Sequence, residues 1–270
     1  MGTVRSEDGT TIAYDVWGDG EPLIIIDGAT AHRAVNPLNA EVAKLLADDF
    51  RVYAYDRRGR GDSTDTKPYA VEREIEDVAA LIADAGAPAT VFAYSSGAIL
   101  ALDVAAAGLP INRLALFEPP FVVDDSRPPL PADYVERLDA AVAAGRPGDA
   151  VELFMSAAVG LPSEVIEGIR QSPMWGPVEA VAHTIAYDGR IVGTTMSGAP
   201  LPRDRWAAID VPVLVMHGDG TWPFLITAAQ ALADLLPTAT LWPVPGEQHS
   251  VASDVLAPVL REFAQVRAGS

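Results

Sequence analysis

The sequence contains no cysteine and only two lysines, Lys44 and Lys67. Without cysteine the chain has no disulfide, no thiol nucleophile and no thiolate ligand for a metal. Its 19 lysines and arginines are outnumbered by 37 aspartates and glutamates, which gives a formal net charge of −18. Such an acidic chain lacks the basic patch that nucleic acids require and is repelled by anionic lipid. We therefore expect neither a nucleic acid nor a membrane as partner.

Long apolar runs are also missing, because the longest ones have the length of strands rather than of membrane-spanning helices. No apolar run follows a basic start at the N-terminus, so we expect a cytoplasmic protein. No histidines and carboxylates recur at metal-ligand spacing, so neither a metal nor an organic cofactor is expected. At 270 residues, 49% of them hydrophobic, one α/β domain with an insertion suits the chain better than two independent domains.

The clearest catalytic signal lies in residues 90–106. Residues 90–94 are mostly β-branched or aromatic and predict a buried strand, and residues 97–106 predict an alanine-rich helix. Ser95 falls in the tight turn between them, with Ala93 and Gly97 as small neighbours two positions away. This pattern is typical of a nucleophile elbow, in which a strained turn presents a serine hydroxyl beside a helix N-terminus. The alternative is a buried helix start that Ser95 merely caps.

Strand and helix patterns alternate along most of the chain. A hairpin around Asp8 and Gly9 is predicted first, followed by strands at 23–26, 51–55, 90–94, 113–117, 213–217 and 240–243. Helices between and after them are predicted at 37–47, 71–85, 97–106, 224–236 and 251–266. This alternation predicts an α/β fold with a doubly wound, mostly parallel sheet.

The alternation stops between residues 121 and 206. No strand pattern occurs there, and four helices are predicted at 132–144, 149–159, 163–171 and 178–187. We therefore predict a core domain formed by residues 1–120 and 207–270, with residues 121–206 inserted as a helical cap.

Several motifs together resemble the α/β-hydrolase fold family. They are the elbow, the Asp-Arg-Arg-Gly-Arg-Gly-Asp-Ser loop at 56–63, the helical insertion and His249 after the last predicted strand. The resemblance spans nearly the whole chain and implies that Ser95 is the nucleophile and His249 its base. The remaining histidines, at positions 32, 183 and 217, are expected in structural or substrate-lining places.

The acid of the expected triad departs from the common family pattern, because Thr221 stands where most members have aspartate. Asp219 lies two residues earlier, and Glu118 follows the strand after the elbow helix. A similar layout occurs in the fungal zearalenone lactonases, which share a Ser-Ser-Gly-Ala elbow, an Asp-Gly oxyanion loop and a Glu-containing turn. The resemblance favours Glu118 as the triad acid, with Asp219 as the alternative.

The same resemblance implies an oxyanion hole formed by backbone amides. Its donors are the N–H groups of Ser96, directly after the nucleophile, and of Ala29 in the first core loop, with Gly28 as a further possibility. Asp27 is expected to turn away from the oxyanion and fix this loop. Asp56, Arg57 and Arg58 are expected to brace it.

Aromatic residues and methionines in and near the insertion are the predicted substrate-binding residues. They are Phe154, Met155, Met174, Trp175, His183, Tyr187, Trp222 and Phe224. An apolar pocket suits a bulky ester or lactone, so we expect a serine hydrolase that forms an acyl-enzyme. The alternatives are a biosynthetic enzyme of the same fold, which cleaves C–C bonds, cyclises or transfers acyl groups, and a non-catalytic protein that binds small molecules.

Overall fold

Eight strands form one sheet in the computed structural model of the chain, which describes residues 1–265. The strands are β1 Gly2–Arg5, β2 Thr11–Trp17, β3 Glu21–Ile26, β4 Phe50–Tyr55, β5 Ala89–Tyr94, β6 Ile111–Phe117, β7 Val213–Gly220 and β8 Ala239–Glu247. Their order across the sheet is β1-β2-β4-β3-β5-β6-β7-β8. Strand β2 is antiparallel to β1 and β4, and the other neighbouring pairs are parallel. The predicted doubly wound, mostly parallel sheet is confirmed.

Helices cover both faces of this sheet, which explains why a central strand such as β3 is apolar along most of its length. Outside the insertion they are α1 Pro37–Leu46, α2 Val71–Ala85, α3 Ser96–Ala106, α9 Pro223–Leu235 and α10 Ser253–Gln265. Ile24 and Ile26 of β3 pack with α2, α3 and α9 on one face, and Leu23 and Ile25 pack with α1 and α10 on the other. Because successive strand residues point to opposite faces, a continuous apolar run is buried on both sides.

The insertion between β6 and β7 is helical and has an apolar cluster of its own. Its α-helices are α4 Tyr134–Ala143, α5 Pro147–Leu153, α6 Ser163–Arg170, α7 Trp175–Ala180 and α8 Ile185–Val192. The helix predicted at 149–159 changes at Phe154–Val159 into a π-helical turn. The helix predicted at 178–187 is divided between α7, the 3-10 turn Ala182–Thr184 and α8.

Two predicted ranges extend beyond the described part of the chain. Val266, the end of the last predicted helix, and residues 266–270 of the predicted core domain lie outside the described residues. Within residues 1–265, no helix is both long enough and apolar enough to cross a bilayer.

Candidate active site

Ser95 lies in a strained turn between β5 and α3. Its backbone has φ 56° and ψ −128°, a conformation that residues with a side chain rarely adopt. A β-carbon on Gly97 would lie 2.4 Å from the Asp27 carbonyl oxygen, and one on Gly28 would lie 2.8 Å from the Ser95 β-carbon. Both positions therefore require glycine, because the loop after β3 packs directly against the turn.

His249 follows β8 and faces a buried carboxylate. Its Nδ1 is 2.5 Å from Oε2 of Glu118, whose side chain is fully buried. The other carboxylate oxygen, Oε1, accepts a hydrogen bond of 2.8 Å from the Gly218 N–H of β7. A proton on Nδ1 that is donated to Glu118 leaves Nε2 of the neutral ring as an acceptor. Glu118 thereby fixes both the orientation and the tautomer of the imidazole.

The backbone at Glu118 is what directs its carboxylate to this point. Glu118 comes directly after β6, has φ 47°, and donates its N–H to the Met216 carbonyl of β7 at 3.0 Å. Pro119 and Pro120 follow it and restrict the chain. The side chain is therefore held between Gly218 of β7 and His249, which follows β8.

Asp219, the alternative acid, lies in a different environment. It is exposed and accepts a hydrogen bond of 3.2 Å from the Gly246 N–H. Strand β7 extends to Gly220, beyond the predicted end at residue 217, and its pairing with β8 holds Asp219 at the exposed end of the strand. Thr221, which stands at the usual acid position, accepts a 3.2 Å hydrogen bond from the His249 N–H through Oγ1.

A cavity of about 190 Å³ adjoins Ser95 and His249. The predicted site residues that line it are Gly28, Ala29, Ser95, Ser96, Phe154, Trp222, Phe224 and His249. Its remaining wall is mostly apolar and includes Pro120, Leu130, Tyr134, Val159, Val192, Met196 and Leu225. The ring of Trp222 is stacked on that of His249, with 6.2 Å between their centroids. The catalytic candidates thus meet at an apolar chamber between the sheet edge and the insertion.

Five predicted substrate-binding residues lie outside this cavity: Met155, Met174, Trp175, His183 and Tyr187. Met155 is buried in the apolar cluster of the insertion, and Met174 is 66% exposed at the surface. Trp175 packs against that cluster from outside, with the Arg170 guanidinium over its ring. Met155 and Trp175 therefore pack within the insertion, and Met174 is a surface residue.

His183 and Tyr187 belong to a polar cluster with Asp65 and Tyr69, which follow the loop at 56–63. The Tyr187 ring stacks on Tyr69 at 3.8 Å, and its hydroxyl donates to Asp65 at 2.7 Å. His183 lies 3.9 Å from Asp65, and burial together with nearby positive charge lowers its pKa despite this carboxylate. These contacts turn both side chains away from the cavity.

Tyr94 and Asp188 were not among the predicted site residues, although both line the cavity. The Tyr94 hydroxyl donates to the His249 carbonyl, and its ring stacks on Phe117. Burial raises the pKa of Tyr94, so the hydroxyl stays protonated and available as a donor. A signal for Asp188 existed in the sequence, namely one carboxylate within the otherwise uncharged stretch 185–189 of α8.

The Asp27 carboxylate connects the end of β3 to the start of α1. It accepts hydrogen bonds of 2.7 Å from the side-chain amides of Asn36 and Asn39. Burial raises its pKa, against the lowering influence of these two hydrogen bonds. Both carboxylate oxygens of Asp27 are therefore engaged by asparagine amides, although Asp27 and Asn36 also line the cavity.

A buried ionic network lies behind the same loop. Arg57 binds Glu74 through two hydrogen bonds of 2.7 and 2.8 Å, and it binds Asp188 at 2.7 Å. Arg60 binds the second oxygen of Asp188 at 2.5 Å. Burial alone would raise the pKa of Asp188, but the two guanidinium groups hold it below its ordinary value. Asp188 is therefore an anion shared by two arginines.

Within residues 1–265, no group of three or more histidines and carboxylates could hold a metal ion. The polar groups at the cavity include the Ser95 hydroxyl and the His249 imidazole, which is paired with Glu118. A family model described as "Alpha/beta hydrolase family" matches residues 27–261. The chain belongs to this family.

Among curated proteins, this α/β hydrolase is 30% identical to a non-heme chloroperoxidase of Streptomyces lividans, over 98% of this chain and 100% of that one. It is 28% identical to a bifunctional esterase/perhydrolase of Acinetobacter calcoaceticus, over 93% of this chain and 94% of that one. A solved α/β hydrolase from Sphaerobacter thermophilus is 51% identical, with a TM-score of 0.89 over 98% of this chain and 100% of that one. Proteins that match this chain over 94% to 100% of their own length are thus named as enzymes.

Proposed function

We propose that this α/β hydrolase is a serine hydrolase of carboxylic esters or lactones, with Ser95, His249 and Glu118 as its catalytic triad. The observation that carries the proposal is the 2.5 Å contact between the buried Glu118 carboxylate and Nδ1 of His249, beside a cavity that Ser95 lines. A serine becomes nucleophilic when a base takes its proton, and the base in turn needs an orienting anion.

In the proposed reaction, His249 accepts the Ser95 proton through Nε2 while Oγ attacks the acyl carbon. Glu118 stabilises the imidazolium that forms. The tetrahedral intermediate collapses as His249 returns the proton to the leaving alkoxide, and an ester bond joins the acyl group to Ser95. Water, activated by His249, then hydrolyses this acyl-enzyme and restores the free serine.

The oxyanion of the intermediate is assigned to the amides of Ser96 and Ala29, with Gly28 as the alternative donor. Ser96 is the first residue of α3, so its N–H has no partner within the helix and lies at the positive end of the helix dipole. Ala29 follows β3 and lines the same cavity as Ser95. Two fixed donors at such a position stabilise the charge that develops in the transition state.

The lining of the cavity supports a bulky apolar substrate. Phe154 from the insertion and Trp222 and Phe224 from the start of α9 contribute aromatic surface on two sides. We propose that the insertion, residues 121–206, is a cap over the core formed by residues 1–120 and 207–265. In that arrangement the acyl or alkoxy group lies between cap and core, where apolar contact replaces water.

A second candidate activity is transfer of the acyl group to hydrogen peroxide. The relatives named chloroperoxidase and esterase/perhydrolase align over nearly their whole length and favour it. In this variant, peroxide replaces water in the second step, so the acyl-enzyme bond breaks and a peracid leaves. Adding hydrogen peroxide to an ester assay and measuring the peracid separates the two activities.

The test of the serine mechanism compares Ser95→Ala with the wild type, using a fluorophosphonate probe and a panel of p-nitrophenyl esters and lactones. We expect the variant to lose covalent labelling and to lose about 10³-fold or more in kcat. Ser163→Ala, which changes an exposed serine in the insertion, is the control and should keep both the covalent labelling and the kcat of the wild type. Unchanged turnover in folded Ser95→Ala, or a wild type that the probe does not label, contradicts the proposal.

A further inference from the structure

We propose that Arg60 is a positioning residue for the oxyanion hole, because it fixes the peptide plane that carries the Ala29 N–H. The inference rests on the serine hydrolase function proposed above and names a residue that the triad and the oxyanion donors do not include. Arg60 acts from behind the loop, without contact with the substrate. Asp188 and Thr184 hold it in place.

The direction of the Ala29 N–H follows from the hydrogen bond that Arg60 makes. Its Nη1 donates to the Gly28 carbonyl oxygen at 2.6 Å, on the buried side of the loop. The Gly28 carbonyl and the Ala29 N–H belong to one peptide group, and in a trans peptide these two bonds point in opposite directions. Fixing the carbonyl toward Arg60 therefore turns the N–H away from it, on the side where Ala29 lines the cavity.

The same hydrogen bond also makes the Ala29 N–H a stronger donor. A positive charge at the carbonyl oxygen draws electrons along the peptide group and leaves its N–H more polarised. The loop carries a second contact of this kind, since Arg57 Nη1 donates to the Asp27 carbonyl at 3.3 Å. Two successive carbonyls are thus held from the buried side.

Arg60 itself is held by partners on the insertion. Its Nε donates to Oγ1 of Thr184 at 3.0 Å, and its Nη2 donates to Asp188 at 2.5 Å. With 1% of its surface exposed, Arg60 has no water to replace these partners. The guanidinium is planar and rigid, so fixing three of its nitrogens fixes the position of the group.

Asp188 connects this assembly to the other proposed oxyanion donor. The Ser96 hydroxyl donates to Asp188 Oδ1 at 2.7 Å. The backbone N–H of Ser96 is the other proposed donor to the oxyanion. One carboxylate on α8 thus reaches Ser96 directly and the Ala29 peptide through Arg60. The insertion is thereby tied to both proposed donors of the oxyanion hole.

The burial of the ionic network behind the loop indicates that it positions the loop rather than merely stabilises the fold. Arg57, Arg60, Glu74 and Asp188 are all buried, and their formal charges cancel. Buried ion pairs often stabilise a fold no better than apolar residues of similar volume. What they supply is a fixed geometry, and here that geometry is imposed on the loop beside Ser95.

Arg58 provides a matched control in the same segment. It is as buried as Arg60, but it binds Asp77 of α2 at 2.7 and 2.8 Å and Asp8 at 2.8 Å. Its remaining acceptor is the Arg73 carbonyl of α2. Contrary to the expectation that Arg58 braces the loop after β3, none of these contacts is to that loop, so replacing Arg58 removes a buried charge and leaves the contacts of the loop in place.

The experiment compares Arg60→Gln with Arg58→Gln by ester kinetics and by the affinity of a boronic acid. The boronic acid bonds to Ser95 Oγ as a tetrahedral adduct and places an oxygen where the oxyanion forms. We expect Arg60→Gln to lower kcat and to weaken boronate binding by about 10- to 100-fold, less than loss of an oxyanion donor at its largest. KM should change by no more than about twofold, because the interaction is made in the transition state.

Arg60→Lys keeps a cation that can donate to the Gly28 carbonyl, and it should recover part of the boronate affinity. Arg58→Gln should leave both kcat and boronate affinity near those of the wild type. Equal losses in the two glutamine variants, or a folded Arg60→Gln with unchanged boronate affinity, overturn the proposal. If Arg60→Gln does not fold, Thr184→Val decides, since it removes the Nε acceptor and, besides that, only the hydroxyl's own hydrogen bond to the Val181 carbonyl. A weaker boronate complex supports the proposal, and an unchanged one overturns it.

Failure of this inference differs from failure of the proposed function. If the probe labels wild type at Ser95 while the Arg60 and Thr184 variants keep normal boronate affinity, the serine mechanism stands and the positioning role is lost. If the wild type reacts with neither the probe nor the boronic acid, both the serine mechanism and the positioning role of Arg60 are contradicted.

Discussion

The carboxyl edge of the sheet and the helical insertion form two walls of one cavity, but they position their side chains by different means. At the sheet edge, the three triad candidates Ser95, Glu118 and His249 all have positive φ, of 56°, 47° and 63°. In the insertion, cavity-lining residues such as Phe154 and Tyr134 are placed by how helices pack on one another.

This difference predicts where substitutions are tolerated. A positive φ at a residue with a side chain is unfavourable and persists only when the surroundings determine it. The triad candidates at the sheet edge therefore have only one arrangement, and we expect even a small substitution there to remove activity. The insertion can change a side chain within a packed helix and alter only the shape of the cavity. We expect the edge to determine the chemistry and the insertion to determine the choice of substrate.

The largest effect expected at the edge is that of Glu118→Gln. Loss of the negative charge beside Nδ1 leaves the imidazolium without its partner, so kcat should fall by about 10³- to 10⁴-fold with the fold intact. The measurement is ester turnover, together with circular dichroism to verify folding.

Asp219→Asn is the matched control, because it neutralises the exposed carboxylate near the end of β7. Its kcat should stay within about twofold of wild type, as is usual for a surface change away from the reacting groups. The opposite pattern, with Asp219→Asn inactive and Glu118→Gln active, would transfer the role of acid to Asp219.

The same comparison explains what the sequence predicts well. Strand ends in a parallel sheet meet at one edge, so the positions of Ser95, Glu118 and His249 follow from strand assignment and motif. The contact between Glu118 and His249 could therefore be predicted from the sequence. Its details, such as the hydrogen bond from Gly218 to Glu118, depend on the pairing of β6 with β7 and require the structure.

The insertion was predictable as helical but not in its packing. Which face of a helix is turned to the cavity depends on neighbouring helices, and side-chain type alone does not determine it. Met174 is therefore exposed and Tyr187 stacks on Tyr69, although both belong to types common in pockets. The π-helical turn Phe154–Val159 likewise cannot be predicted from a hydrophobic pattern with a period of 3.6 residues.

Phe154→Ala tests the role of the insertion in substrate choice and should have a smaller effect than Glu118→Gln. Wild type should prefer p-nitrophenyl esters longer than acetate until the cavity is full. Removal of the Phe154 ring should lower kcat/KM for the best wild-type ester by about tenfold and shift the optimum to longer chains. The measurement is kcat/KM across an acyl-length series.

Met174→Ala is the control in the same insertion, since Met174 lies at the surface outside the cavity. Its acyl-length profile should match that of wild type. A steady fall in kcat/KM from acetate upward, or an unchanged profile for Phe154→Ala, would contradict an apolar pocket that the insertion shapes.

Ser96→Ala sharpens the contrast within the elbow itself. The Ser96 side chain donates to Asp188, whereas its proposed catalytic contribution is the backbone N–H, which alanine retains. We expect kcat to fall by less than about tenfold, in keeping with the loss of one hydrogen bond to a charged group. Steady-state kinetics beside Ser95→Ala provides the measurement. A loss as large as that of Ser95→Ala would mean that the Ser96 hydroxyl takes part in the reaction directly.

The smallest effect should come from Thr221→Val, at the position where most family members have the acid. Thr221 Oγ1 accepts the His249 N–H at 3.2 Å, and valine keeps the shape of the side chain but removes this acceptor. The unpaired N–H should lower the free energy of unfolding by about 1 kcal/mol and kcat by a few-fold at most. Urea unfolding and ester kinetics measure the two quantities, and Thr221→Ser, which keeps an acceptor, should restore both. A loss of kcat on the scale of Glu118→Gln would instead show that Thr221 takes part in holding the charge on His249.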